Sequence, residues 1–351
     1  MSLERAPLPP ALRGVLPLLI ALPVLVLLQL TVGKLPFVSF IACSVGVNII
    51  LAVSLNIVNG MTGQFSIGHA GFMAVGAYIS GVFSIATKEV GLHGIPVAWS
   101  DQLFLVLALL LGGLAAALFG FVVGLPSLRL KGDYLAIVTL GFGEIIRVAV
   151  QNTQLFGRAL GLSGTPQTAT LFWVYLCVFF VVLVARRIAG SPHGRSLLAI
   201  REDEVAAEAM GVNTTAYKVR AFVVSAFFAG VAGALFAHFV ALINPGSFTF
   251  VKSMEVVVMV VLGGLGSTTG AIVAAVCLTL LPEALRSGFT ALGGAHGGNW
   301  AQRVDQVRMP IYGMLLIALM LARPQGLFGT RELWDFAPKW FSGRGRKGAA
   351  P

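Results

Sequence analysis

Apolar residues along this chain come in long unbroken runs. Stretches such as VLPLLIALPVLVLLQL and LFLVLALLLGGLAAALFGFVVGL show none of the roughly ten-residue alternation that a membrane barrel strand requires. A run of about 20 apolar residues is the length that carries a helix across a bilayer core. Reading such runs against charged breaks predicts about ten spans, near 14–32, 38–58, 66–86, 102–125, 134–151, 170–188, 220–243, 253–265, 269–285 and 307–322. The fold class expected is all-α: a polytopic transmembrane helical bundle, one membrane domain over residues 1–351, with inverted repeats and broken helices.

Composition agrees. The chain is 57% hydrophobic and 11% charged, against about 25% charged for a soluble domain, so water is not its main solvent. A net charge of +10 would point to nucleic acid in a soluble protein. Here the basic residues gather in short loops and the tail 323–351, an orientation signal that puts both termini in the cytoplasm and excludes a nucleic-acid partner. Arg129 and Lys131, then Arg186 to Arg220, fall on the inner side; the loops 87–101, 152–169 and 244–252 are nearly neutral and fall outside. The loop 286–306 fits least well, since Arg286, Arg303 and Asp305 charge it although parity places it outside. Trp99, Trp173 and Trp300 mark outer edges. Cys43, Cys177 and Cys277 stand singly in apolar runs and read as small core residues rather than metal ligands. Arg5 and Arg13 precede an apolar run with no clear small-x-small cleavage site, as in an uncleaved first span.

Two glycine-rich strings interrupt the apolar sequence, NGMTGQFSIGHAG at 59–71 and LGGLGSTTG at 262–270. Paired interruptions in the two halves of a transporter point to broken helices beside a substrate path, whereas glycines alone also serve close helix packing. Asn59, Gln64, Ser66 and His69 favour a path for the first string; for Gly263, Gly264 and Gly266 in the second, both readings stand. Glu144 and Arg147, three apart within a span, pair on one helix face, either as a structural pin or as a path lining that meets the two charges of a zwitterion. Glu255 reads as a hydrated boundary residue. His69 and His238 read as hydrogen-bonded packing residues, with a proton relay as the alternative for His69.

Residues 191–220, SPHGRSLLAIREDEVAAEAMGVNTTAYKVR, form a polar segment between two spans. Within it EDEVAAEAMG has acidic residues in its first turn, alanines through its body and Gly211 where a left-handed cap would end a helix. Val205, Ala206, Ala209 and Met210 give that helix an apolar face. It either docks in a groove of a separate cytoplasmic protein or lies flat on its own bundle.

AAEAMG resembles the Glu-Ala-Ala loop of bacterial ABC-importer permeases. NGMTGQFSIGHAGFMAVGAY, LRLKGDYLAIVTLGFGEIIR, GRSLLAIREDEVAAEAMG, FFAGVAGALFAH, VVLGGLGSTTG and RPQGLFG, in this order across residues 55–330, are similar to branched-chain amino acid permeases of the LivM type. The resemblance implies a related second permease (LivH-like), two cytoplasmic ATP-binding subunits and an extracytoplasmic solute-binding protein, in a bacterial inner membrane. It implies that Arg195, Arg201, Asp203, Glu204, Glu208, Ala209 and Gly211 couple the path to the ATPases. ATP and Mg are expected on those partners and no cofactor on this chain, which lacks a GxxxxGKS/T loop. The same family includes permeases for urea and short amides. Two rivals remain: a secondary transporter using Glu144, Glu255 or His69 as its ion site, and an intramembrane enzyme, for which no facing polar constellation, HExxH or GxSxG is present.

Overall fold

A computed structural model of the chain describes residues 35–88, 97–128, 134–240 and 242–293, together with single positions at 23–33 and 313–329. Apart from those single positions, the expected first and tenth spans and the basic tail lie outside the described residues, as do the loop 286–306 beyond Gly293, Arg129 and Lys131.

Ten α-helices are described in full, in order: α1 (Pro36–Asn59), α2 (His69–Lys88), α3 (Val97–Ser127), α4 (Tyr134–Asn152), α5 (Leu171–Ala189), α6 (Pro192–Glu202), α7 (Glu204–Ala209), α8 (Thr214–Phe239), α9 (Phe250–Gly263) and α10 (Thr268–Gly293). Among the described residues seven of these, α1 to α5, α8 and α10, are long and apolar enough to cross a membrane. The expected eighth span is α9, which has only 14 residues. A two-residue antiparallel pairing, β1 (Leu162–Ser163) with β2 (Leu242–Ile243), ties the α4–α5 connection to the chain leaving α8.

Helix α8 sits at the centre, packed against α1, α2 and α3 with most of its length buried. Small residues make this possible. A Cβ on Gly76 would strike the backbone of Gly230, and one on Gly233 would strike the Met73 carbonyl. Lipid tails are as apolar as leucine, so helices in a bilayer gain by such close backbone approach rather than by hydrophobic exclusion. Helix α3 covers α8 from one side and leaves Leu107, Leu114, Leu118 and Val122 exposed along its outer face, as a lipid-facing helix would.

A ruler for depth comes from α1 and α10. Gly266, in the turn before α10, donates its N–H to Asn56 Oδ1 at 2.9 Å, so the end of α1 and the start of α10 are level. Asn48 lies about three turns before that end and Thr279 about three turns after it, each roughly 16 Å in at 1.5 Å per residue. Asn48 Nδ2 donates to Thr279 Oγ1 at 2.8 Å, and Lys252 Nζ donates to Asn48 Oδ1 at 2.9 Å. In a hydrocarbon core about 30 Å thick, the Lys252 ammonium and the Glu255 carboxylate 3.0 Å from it therefore lie half-way across. The chain between α8 and α9 is carried inward through β2 and a 3-10 turn over Pro245–Phe248 before α9 begins. Glu255 is thus a mid-depth residue, not the hydrated boundary residue its position in the sequence predicts.

For the second glycine string, where both readings stood, the geometry is that of close helix packing. It does not break a helix at depth. Residues 264–267 form a turn, closed by Ser267 N–H donating to the Gly264 carbonyl, between two helices that cross where Gly263 meets Gly270. The re-entrant stretch in the second half is instead the glycine-poor 240–249.

Candidate functional site

Two clusters of polar groups stand out, one at the end of the bundle that carries α6 and α7, the other inside it. At the first, Asn59 ends α1 and clamps the extended stretch beyond it. Its Oδ1 accepts from the Ser66 N–H at 3.1 Å while its Nδ2 donates to the Ser66 carbonyl at 3.3 Å, as a neighbouring strand would. One turn earlier Asn56 holds Gly266. Gly60 and Gly266 touch so closely that a Cβ on Gly60 would meet the Gly266 nitrogen. The two glycine strings therefore meet each other.

The polar segment reaches them. Helix α6 starts on Pro192, capped by Ser191 Oγ, which accepts from the Gly194 N–H at 3.2 Å. It ends at Glu202, because Asp203 is extended (φ −154°, ψ 111°) and caps α7 by accepting from the Val205 and Ala206 N–H groups at 2.9 and 3.0 Å. The helix expected over EDEVAAEAMG is α7, which starts at Glu204 because Asp203 favours a cap over a helix interior. From the last turn of α6, Arg201 Nη1 donates to the Gly60 carbonyl at 2.7 Å and lies 3.5 Å from that of Leu265. Its stem packs on Gly63. One guanidinium joins α6 to both strings.

Helix α7 is held from behind. Lys218, 2% exposed, pairs with Glu204 Oε1 at 2.6 Å, and Thr214 Oγ1 donates to Glu208 Oε1 at 2.7 Å. Gly211 takes φ +85°, with its N–H on the Glu208 carbonyl and that of Val212 on Ala207, a helix stop that an L side chain would strain. Ala207 alone is buried. Val205 and Met210, 68% and 85% exposed, point away with Ala206 and Ala209. The segment presents an apolar knob to the outside and a cation to the glycine strings.

Inside the bundle, the chain beyond Ser66 enters beside α4. Ile67 N–H donates to Thr139 Oγ1 at 3.1 Å, and α2 crosses α4 where Gly71 meets Gly143. His69 opens α2 level with Ser54, about 8 Å in from the end of α1, with 2.9 Å between Ser54 Oγ and His69 Nε2. The Ala70 N–H donates to Ser253 Oγ of α9 at 3.0 Å. Between α2, α4 and the start of α9 lies a small open cleft, lined by Ala70, Gly71, Leu140, Glu144, Thr249 and Ser253 among others. Glu144 and Arg147 pair at 2.7 Å on its rim and remain 34% and 24% exposed.

This combination, a bundle of apolar helices, two re-entrant stretches beside a cleft and a polar segment clasping one of them, has a counterpart in a family model. Residues 37–322 match the one described as branched-chain amino acid transport system, permease component. The chain belongs to that permease family. The high-affinity branched-chain amino acid transport system permease protein LivM of Salmonella typhimurium is 36% identical over 82% of this chain and 69% of its own length. LivM of Escherichia coli is 36% identical over 80% of this chain and 67% of its own length. The high-affinity branched-chain amino acid transport system permease protein LivH of Escherichia coli is 25% identical over 81% of this chain and 92% of its own length. No solved structure matches the chain. As a family member with seven membrane-length apolar helices among its described residues, it is a multi-pass membrane permease subunit.

The family's permease frame brings together some predicted site residues and separates others. Arg201, Gly60 and Gly266 converge, and Asp203, Glu204 and Glu208 work on their own chain to shape α7, whereas Arg195 is exposed and stands apart. Asn59, Ser66 and His69 are buried within the chain; Gln64 is half-exposed. Gly263 and Gly264 pack on Gly270 and Gly329, at the end of the bundle rather than at mid-depth. His238 donates from Nδ1 to the Ala234 carbonyl and lies 2.7 Å from Ser84 Oγ, a buried packing residue. Trp173 donates to Gln102, while the side chains of Trp99 and Trp300 lie outside the described residues. Asn48, Asn56, Lys218, Lys252 and Thr279 escaped sequence reasoning. An asparagine in an apolar run was the available signal.

Proposed function

We propose that the chain is the translocation subunit of an ATP-driven importer of branched-chain amino acids, and that Arg201 is its transmission point. The observation carrying this reading is that Arg201 binds the first glycine string and lies against the second while its segment turns an apolar knob outward. A protein gripping Val205 and Met210 from the cytoplasm would pull directly on the ends of α1 and α9. Two ATP-binding subunits fit that role, with ATP and Mg bound there and none on this chain. A related second permease would close the path on the side of Glu144 and Arg147, whose charges lipid would not tolerate. A solute-binding protein would deliver the amino acid at the end carrying β1 and β2.

The apolar runs near 14–32 and 307–322 would bring the membrane crossings to about ten once α9 is counted. Both termini would then lie in the cytoplasm of a bacterial inner membrane, on the side of α6 and α7. The stretches 60–68 and 240–249 enter from opposite ends and lead to contacting helix starts at Ala70 and Ser253, as inverted repeats would arrange them.

The test is uptake of radiolabelled leucine into proteoliposomes that hold the complete complex. Uptake that requires internal ATP is the expected result. Uptake that persists without ATP and collapses with a proton or sodium gradient would overturn the reading.

A further inference from the structure

The first turns of α9 hold a second ion pair, which neither the sequence motifs nor the cleft explains. Lys252 Nζ lies 3.0 Å from Glu255 Oε2, and the two remain 22% and 33% exposed. They sit at mid-depth, where a charge facing lipid costs about 2.5–3.5 kcal/mol even on lenient insertion scales. A pair buried only to pin helices would be covered by the chain that it pins. Lys252 does have a pinning contact, its bond to Asn48 and through it to Thr279. Glu255 does not: among the described residues its one polar partner is Lys252, and its carboxylate turns outward on the stripe that holds Val251, 72% exposed, with Met254 and Val258 half-buried beside it. An ammonium has three protons to donate, and Lys252 uses two on Asn48 and Glu255.

We propose that Lys252 and Glu255 are half of a mid-membrane site that reads both charges of a zwitterionic amino acid. Glu255 takes the ammonium, Lys252 takes the carboxylate, and the Val251, Met254 and Val258 stripe lies against an aliphatic side chain. The ion pair opens as the solute enters and closes behind it. Each charge exchanges one opposite partner for another, so no unpaired charge is left in the low-dielectric interior at any stage. Asn48 keeps Lys252 at the site when Glu255 lets go. This assignment rests on the importer reading above; the second permease supplies the facing half.

The complete complex in proteoliposomes tests it with leucine uptake driven by ATP. The paired variant Lys252→Met with Glu255→Met removes both charges without stranding either one, an exchange that stability commonly tolerates. It is expected to assemble and to lose at least about tenfold in uptake, the loss of a charge-assisted contact to the solute. Wild-type uptake in this variant overturns the site. Should the pair of substitutions prevent assembly, Glu255→Gln is read instead, since its amide still accepts from Lys252; a KM for leucine raised about tenfold is expected, and an unchanged KM overturns the site. A helix pin would not move a third readout. Val251→Cys, with Cys43, Cys177 and Cys277 replaced by Ser, should react with a water-soluble thiosulfonate and be protected by saturating leucine. Reaction indifferent to leucine, or none, overturns the proposal. If the wild-type complex itself takes up no leucine on ATP, it is the importer reading that fails.

Discussion

The stretch that leads from α1 into α2 and the one that leads from α8 into α9 both carry irregular backbone into the bundle, and they are built from opposite materials. Residues 60–68 are glycine-rich and held by polar groups: Asn59 on Ser66, Arg201 on Gly60, Thr139 on Ile67. Residues 240–249 contain one glycine. They are held by strand pairing at Ile243, by Tyr78 Oη on the Ile243 carbonyl at 3.0 Å, and by Phe248 packed on the rings of Tyr78 and Phe236. A glycine string on a few hydrogen bonds has many alternative backbone conformations nearby, whereas interlocked rings have few. On the importer reading, the first stretch is the part that α6 would move and the second is the frame against which it would move.

Substitutions on the two sides should separate function from stability. Arg201→Ala removes a side chain that reaches both glycine strings from α6. Uptake of leucine is expected to fall about 100-fold, the equivalent of two charge-assisted hydrogen bonds, while co-purification with the ATP-binding subunits is retained; near-normal uptake would break the comparison. On the other side, Tyr78→Phe strands a buried carbonyl and should lower thermal stability by about 1–2 kcal/mol with the uptake rate unchanged, so a transport defect at full stability would show that the frame moves too. Gly211→Ala meets no steric obstacle but forces an L side chain to φ +85°. It should cost about 1 kcal/mol at the end of α7 and weaken ATPase binding in a pull-down without altering the bundle. The smallest effect is expected for Asn244→Ala, which loses the cap on the Gly246 N–H, about 0.5–1 kcal/mol in a thermal melt.

Much of this architecture is legible in the sequence, and the exceptions have physical causes. Apolar runs locate the crossing helices because a helix in lipid must be apolar on all sides. The exposed knob on α7 is legible because Val205 and Met210 stand in a polar neighbourhood with nothing apolar to cover them. The role of 240–249 is hidden, since INPGSFT reads as an outer loop whether it rests on the surface or descends into the bundle; only the shortness of α9 betrays it. Lys252 is hidden for a related reason. It follows that loop directly, so it passes for a boundary charge, and its partner Asn48 is 204 residues away. The two glycine strings mislead in the opposite sense. They look like a pair, yet one admits the chain into the bundle and the other simply lets α9 and α10 turn tightly against it.

Helix α1 holds Asn48, Asn56 and Asn59, and the timing of synthesis bears on the first two. Asn59 finds Ser66 within seven residues, but the partners of Asn56 and Asn48 are made 210 and 204 or more residues later. During biogenesis α1 must therefore enter the bilayer with two amides unanswered, relying on a mean hydropathy of 2.2 over an 18-residue stretch. Its final bonds form only after α9 and α10 have emerged and inserted. The midplane ion pair and the contact of Arg201 with the second glycine string are thus late contacts of the nascent protein, and a chain stalled before residue 252 would hold its first helices in a membrane without either.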